Sequence, residues 1–137
     1  MSAENKAMFQ QFVDGMNAKD STFIDRLVDP NLVDHDPMPG QSEGLEGIKE
    51  QIEVLFAGFP DLKVTVNKLI SEGDVVSGAV KTEGTHTGEF MGIPATNKKM
   101  SMTEIHMIRP ENGKMIEHWG LADAMTMMQQ LGVLPEM

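Results

Sequence analysis

The chain has 137 residues, 40% of them apolar and 23% charged, which is the size and composition of one globular domain over residues 1–137. It contains no cysteine, which excludes thiolate nucleophiles, cysteine zinc sites, iron–sulfur clusters and disulfide bonds. Its 11 basic and 21 acidic residues give a formal net charge of -10, so we expect no nucleic-acid and no membrane partner. The N-terminus lacks the pattern of a secretory signal, and we expect a soluble, cytoplasmic protein.

The first part of the chain has the apolar spacing of helices. Residues 3–16 place apolar side chains three and four positions apart, and Ser2 is available as a cap. The same spacing continues over residues 20–28, where Asp-Pro-Asn ends it, and over residues 44–58, which Pro60 ends. The sequence therefore predicts three helices before residue 60.

After Pro60 the apolar period changes from helical spacing to strict alternation. The pattern predicts strands that begin at Leu62 and then cover residues 75–86, 100–109 and 114–121, with a long connection over residues 87–99. Asn112-Gly113 predicts a tight hairpin turn, and residues 123–131 have the spacing of a last helix. Helices followed by a four-stranded meander predict an α+β fold with the helices on one side of an antiparallel sheet.

Four histidines and a few carboxylates carry whatever chemistry the chain has. Glu104 and His106 share one face of a predicted strand, across the hairpin from the strand that carries Glu117 and Trp119. In one interpretation these side chains converge in a pocket. In the other, Glu104 and His106 form a cross-strand polar pair on a solvated sheet face, and the periodicity does not decide between the two.

A metal site would have to use these same histidines. His35, His86, His106 and His118 with Asp123 could supply two histidines and one carboxylate, but their spacing matches no metal motif. The sequence also has no phosphate-binding glycine loop, and we expect neither a metal nor a cofactor.

Several segments resemble one protein family. They are GTHTGEFMGIPAT at 84–96, GKMIEHWGLAD at 113–123, QLG at 130–132, VDHDP at 33–37 and FPDL at 59–62. Together they are similar to the SnoaL-like polyketide cyclases, a family in the superfamily of nuclear transport factor two and ketosteroid isomerase. The motifs are specific for the family but weak for the reaction, because such folds host many functions.

The resemblance implies a cone-shaped fold, in which a curved antiparallel sheet wraps around the N-terminal helices and encloses an apolar cavity, usually in a homodimer. Cyclases of this family act on hydrophobic, polyketide-like carbonyl compounds and close a ring by intramolecular aldol condensation without metal or cofactor. The family pattern makes Asp123 the base and His106 its partner. His35, His86, Glu104 and Trp119 are the candidate substrate-binding residues. The chain has no tyrosine, so the oxyanion hole of ketosteroid isomerase does not carry over.

Four alternatives stay open from the sequence alone. Asp123 directly precedes a predicted helix and is equally suited to cap it. His118 and Trp119 alternate along a strand, so at most one of them faces the cavity, and we predict that it is Trp119. His35 could be a loop histidine paired with Asp34 or Asp36. The whole domain could also be a non-catalytic small-molecule binding protein of the same fold.

Overall fold

The computed structural model describes residues 2–134, which contain four helices and one five-stranded sheet. In chain order the elements are α1 (Ser2–Ala18), α2 (Thr22–Leu27), β1 (Val28–Asp34), α3 (Gly44–Gly58), β2 (Lys63–Glu72), β3 (Val75–Thr85), β4 (Lys99–Glu111), β5 (Lys114–Ala122) and α4 (Ala124–Gln130). None of the described helices is long and apolar enough to cross a membrane.

The three predicted N-terminal helices are confirmed, and the boundaries of the first two differ from the prediction. Helix α3 has the predicted bounds, and α1 continues two residues past residue 16. Helix α2 ends early, at Leu27, because the chain turns there into β1, a strand that the sequence did not predict. Pro30 lies inside this strand and is tolerated because β1 is an edge strand with an irregular register.

The sheet has the order β1-β5-β4-β3-β2. Strands β2 to β5 form the predicted antiparallel meander, whereas β1 pairs in parallel with β5. Between β4 and β5 the chain turns at Asn112 and Gly113, whose φ angles of 53° and 76° are those that a two-residue hairpin loop requires. The α+β fold with N-terminal helices against a curved sheet is thus confirmed, and the sheet has one more strand than predicted.

One face of the sheet, called here the inner face, packs against the helices. Helix α1 lies against β2 and β3, and α3 lies against β1. Gly78 on β3 permits this packing, because a Cβ atom at that position would stand 2.3 Å from Cζ of Phe9 on α1. The core that results contains buried residues from helices and strands, among them Phe9, Ile24, Ile52, Val76, Val80 and Ile108.

The opposite face, called here the outer face, carries several exposed apolar side chains among polar and charged ones. Side chains that face outward alternate with those of the inner face along β3, β4 and β5. The exposed apolar side chains of the outer face are Val33, Ile70, Ile105, Met107 and Leu121.

Candidate functional site

A cavity of about 110 Å³ lies between helices α1 and α3 and the inner face of the sheet. Its walls are mostly apolar, with Phe9, Val13 and Ile52 from the helices and Val80 and Ile108 from the strands. Polar side chains enter it at one side, where Thr82, Glu104, His106 and His118 come from three adjacent strands. A pocket that is apolar with a few convergent polar groups is the usual form of a small-molecule site.

The polar groups form a continuous hydrogen-bonded chain along the inner face, which we call the relay and define as Asp34, His118, His106 and Glu104. Asp34 Oδ1 lies 2.9 Å from His118 Nδ1. Nε2 of His118 lies 2.9 Å from His106 Nδ1, and the Nε2 atom of His106 lies 3.2 Å from Glu104 Oε1. The Thr82 hydroxyl donates to Oε2 of Glu104 and closes this end of the chain.

The two histidine rings can meet because the residue between them has no side chain. Gly120 is the cross-strand partner of His106 on β5. A Cβ atom at this glycine would stand 2.8 Å from His106 Nδ1 and 2.9 Å from His118 Cε1, closer than side chains tolerate. The glycine at position 120 is therefore a geometric requirement of the hydrogen bond between His106 and His118.

Asp34 reaches the relay through the parallel pairing of β1 with β5, which places it opposite His118. Its side chain is only 6% exposed. Burial alone would raise the pKa of Asp34, but the hydrogen bond and charge of His118, with donors from Asp36 N–H and the Gln41 amide, hold this pKa below its ordinary value. The carboxyl of Asp34 is consequently ionised at neutral pH.

Glu104 is the carboxylate of the cavity. Its burial also opposes ionisation, and its hydrogen bonds with His106 and Thr82, together with the charges of His106 and His118, overcome this effect and lower its pKa. Glu104 thus remains an anion among apolar walls, where a carboxylate that loses its partners becomes a stronger base.

The structure brings two of the predicted site residues together, Glu104 and His106, at the cavity. The prediction that Trp119, and not His118, faces the cavity is wrong. A two-residue hairpin of regular register would place Trp119 opposite His106, but the register shifts by one residue between Arg109 and Pro110. A shift of one residue moves every later side chain to the other face of the strand, so His118 points inward.

Trp119 and His35 lie together on the outer face, away from the cavity. Their rings stack with centroids 4.7 Å apart. His35 Nε2 is 2.6 Å from Glu117 Oε2, and the second oxygen of this carboxylate accepts from Arg109 Nε at 2.7 Å. The partner of His35 is therefore Glu117, not Asp34 or Asp36 as the sequence analysis considered.

His86 is fully buried and anchors the connection between β3 and β4. Its Nδ1 lies 3.0 Å from Thr96 Oγ1 and accepts from Thr96 N–H, while its ring packs against Phe59. The side chain does not line the cavity. A substrate-binding role for His35, His86 or Trp119 stays a prediction that the geometry of the cavity does not favour.

Asp123 caps helix α4, as one of the two interpretations of its sequence position expected. Its carboxylate is exposed and accepts hydrogen bonds from Thr126 N–H at 3.2 Å and from Thr126 Oγ1 at 2.7 Å. These two hydrogen bonds lower the pKa of Asp123. Asp123 is not among the residues that line the cavity, and its catalytic role stays a prediction.

Two residues of the relay, Asp34 and His118, were not among the predicted site residues. The segment VDHDP that contains Asp34 was noticed for its family resemblance, and Asp34 itself only as a possible partner of His35. Within residues 2–134, no group of three or more histidine or carboxylate side chains is arranged to hold a metal ion. The arrangement in the cavity can accept, hold and return a proton.

Comparisons with known proteins agree with this architecture. The sequence matches the family model described as SnoaL-like polyketide cyclase over residues 6–131. Among curated relatives, aklanonic acid methyl ester cyclase DnrD of Streptomyces peucetius is 26% identical over 105 residues, which are 77% of this chain and 71% of that protein.

Solved structures show the same fold. IdmH of Streptomyces antibioticus is 32% identical to this chain. The two structures superpose with a TM-score of 0.82, and the match covers 94% of this chain and 99% of IdmH. TsrD of Streptomyces laurentii is 26% identical, with a TM-score of 0.87 and coverage of 96% and 97%. The chain therefore belongs to the SnoaL-like polyketide cyclase family.

Proposed function

We propose that this protein is an acid–base enzyme that closes a ring in a hydrophobic, polyketide-like carbonyl compound by intramolecular aldol-type chemistry, without a cofactor. The observation that carries the proposal is the relay, which brings an ionised carboxylate and two imidazoles to one side of an apolar cavity. Membership of a cyclase family and the cyclase activity in the name of DnrD support it.

The proposed reaction begins when a carboxylate takes a proton from the carbon next to a carbonyl group. The electron pair of that C–H bond moves onto the carbonyl oxygen and gives an enolate, whose carbon attacks a second carbonyl of the same molecule. The C–C bond to that carbonyl carbon closes the ring, and the alkoxide so formed takes the proton back from the carboxyl group, which restores the carboxylate. The apolar walls favour this chemistry because they exclude water from the base and from the enolate.

Two carboxylates compete for the role of base. Asp123 matches the family pattern, but Glu104 is the carboxylate that lines the cavity. Every ring nitrogen of His106 and His118 already faces a hydrogen-bond partner. A carboxylate offers about four acceptor positions, and the described partners of Glu104 occupy two of them. Glu104 is thus the group of the relay with acceptor capacity toward a ligand.

Exchange of substrate protons for deuterium tests the base directly. The probes are aklanonic acid methyl ester and a simpler aryl 1,3-diketone in D₂O. Proton NMR records the loss of the signal of the hydrogens on the carbon between the carbonyls. The wild-type protein should accelerate this exchange. Glu104→Gln should lower the rate by about a hundredfold or more, the usual scale for a general base, and Asp123→Asn should leave it unchanged.

Other outcomes have equally definite meanings. Loss of exchange in Asp123→Asn with full exchange in Glu104→Gln would make Asp123 the base and refute the choice of Glu104. A wild-type protein that binds the probes without any exchange is the non-catalytic binding protein of the alternative. That alternative draws on one observation, namely that the carboxylate of the family pattern, Asp123, is exposed and engaged as a helix cap.

We also propose that two copies of the chain associate through the outer face of the sheet. Large exposed apolar patches on a protein often mark association surfaces, and the neighbouring strands β1, β5 and β4 carry exposed Val33, Leu121, Ile105 and Met107 on the outer face. Ile70 on the edge strand β2 is a further exposed apolar residue of this face. The inner face packs against α1 and α3, so the outer face is the sheet surface available to a partner copy.

A further inference from the structure

We propose that the two histidines of the relay hold one shared proton as an imidazole–imidazolium pair, and that Asp34, outside the cavity, is the positioning residue that keeps it there. This inference rests on the proposed acid–base function and specifies the charge state of its site. It concerns protons only, and no covalent step follows from it.

The hydrogen bonds of the relay need more protons than two neutral histidines carry. It contains three contacts at hydrogen-bond distance, between Asp34 and His118, between His118 and His106, and between His106 and Glu104. Each contact needs one hydrogen atom, because two unprotonated acceptors at this distance would repel each other. Two neutral imidazoles carry only one N–H each. The relay is therefore one proton short unless a third proton is added.

The third proton has two possible positions in the relay. It lies either on an imidazole nitrogen, which makes the pair cationic, or on Glu104. The Glu104 carboxylate faces His106 with one oxygen and accepts from the Thr82 hydroxyl with the other, and such donors favour its anionic form. Asp34 at the other end is likewise anionic, with donors from Asp36 N–H and Gln41. Two anions enclose the histidine pair, and this arrangement stabilises a positive charge between them.

The other described groups that face the histidine pair are apolar, neutral or acidic. Helices α1 and α3 contribute apolar residues and the neutral amide of Gln51 to the cavity, and no titratable side chain. Strand β3 contributes the neutral Thr82. Asp36, next to the relay, directs Oδ2 to the Gly120 N–H at 2.9 Å. No described cation borders the pair in the cavity, so its surroundings favour the added proton.

The consequence for the site is a fixed positive charge at the wall of an apolar cavity. The side chain of His106 is 26% exposed, so a ligand in the cavity can approach the charged ring. An enolate oxygen gains negative charge when the base removes its proton, and a nearby preorganised cation stabilises it. The chain has no tyrosine for this purpose, and the histidine pair would take that role.

Nitrogen NMR of protein labelled with ¹⁵N-histidine tests the proposal without any substrate. The chain has four histidines, so the ring nitrogens of His106 and His118 can be assigned from single replacements of each. At pH 7 three of their four ring nitrogens should be protonated in the wild-type protein. A spectrum with only two protonated ring nitrogens overturns the proposal, whether Glu104 is ionised or holds the third proton.

Asp34→Asn tests the positioning role, because it keeps the size of the side chain and an acceptor oxygen but removes the charge. The number of protonated ring nitrogens at pH 7 should fall from three to two. Asp29→Asn is the matched control, since Asp29 lies on the same strand and bonds to Asn31 N–H, outside the relay. The Asp29→Asn protein should keep three protonated ring nitrogens. If Asp34→Asn keeps three as well, Asp34 is not the positioning residue.

The result separates this inference from the proposed function. A shared proton in a protein that exchanges no substrate proton leaves the inference standing and refutes the enzyme. A protein that exchanges substrate protons but has only two protonated ring nitrogens refutes this inference and leaves the proposed enzyme standing. If Asp34→Asn does not fold, Glu104→Gln removes the other flanking charge and should give the same fall from three to two.

Discussion

At the scale of single residues, the site depends on a missing side chain as much as on those present. Gly120 faces inward between His106 and His118, at a position where any Cβ atom would collide with both rings. The hydrogen bond between the rings therefore depends on glycine, and no alternation pattern in the sequence indicates this. The glycine contributes packing space here and not backbone freedom, because its φ angle is not in the left-handed region.

Gly120→Ala should break the contact between His106 and His118. A methyl group 2.8 Å from His106 Nδ1 forces the rings apart, and the lost hydrogen bond should lower the free energy of unfolding by about 1 kcal/mol. Urea unfolding measures this change. The cost should shrink in a His118→Asn background, where the contact is already absent, and an equal cost in both backgrounds would show that the clash lies elsewhere.

Asp34→Asn should cost stability at neutral pH and cost nothing in acid. The folded state lowers the pKa of Asp34 from its ordinary 3.8, so its carboxylate stabilises the fold above that pH, and the stabilisation is lost as the pH falls through the lowered value. A hydrogen bond to a charged group predicts a loss of about 2 kcal/mol at pH 7.

Urea unfolding at pH 7, 5 and 3 should show the same difference between Asp34→Asn and wild type at pH 7 and 5 and a smaller difference at pH 3, which lies below the ordinary pKa of 3.8. Asp29→Asn, on the same strand, is the control and should differ little from wild type at any of these values. A difference that stays constant with pH would mean that the variant acts through packing and not through the charge of Asp34.

At the scale of elements, sequence patterns predicted what depends on local order. The spacing of apolar residues predicted α1 and α3. The alternation of apolar and polar residues, together with the turn at Asn112-Gly113, predicted the meander. Strand β1 was missed because its pairing with β5 is parallel and distant in sequence, so no local pattern encodes it. The missed strand is also the one that brings Asp34 to the site.

The error at Trp119 has a physical cause of the same kind. Alternation correctly predicted that only one of His118 and Trp119 faces inward, but not which one. The bulge near the hairpin decides this. The one glycine of residues 109–117 is Gly113, which belongs to the hairpin turn, so no glycine marks the bulge itself. Glu104 and His106 could be predicted because both lie on one strand, two positions apart, beyond the influence of the bulge.

The contact between α1 and β3 predicts a sharp difference between two neighbouring positions. Gly78→Ala should lower the free energy of unfolding by about 1–3 kcal/mol, because its methyl group would stand 2.3 Å from Cζ of Phe9 and 2.8 Å from a methyl carbon of Leu69. Ser77→Ala, one residue earlier and on the outer face, should change it by less than about 0.5 kcal/mol. Urea unfolding compares them, and equal effects would contradict the assignment of faces.

At the scale of the whole molecule, charge and apolar surface oppose each other. A formal charge of -10 on each chain resists association, whereas the apolar outer face favours it. Salt screens the repulsion between exposed charges and does not weaken apolar contacts. A dimer formed through the outer face should therefore become tighter as the concentration of sodium chloride rises.

Sedimentation at micromolar concentration tests this dimer. The wild-type chain should sediment as a dimer, and Ile105→Glu should sediment as a monomer, because it places a charge on the outer face, where Ile105 is 46% exposed. Met91→Glu is the matched control: Met91 is 51% exposed but lies in the connection between β3 and β4, outside the sheet. The control should remain a dimer.

Two outcomes would contradict association through the outer face. One is a wild-type chain that sediments only as a monomer in both low and high salt. The other is a monomeric Met91→Glu, which would move the interface to the connection between β3 and β4.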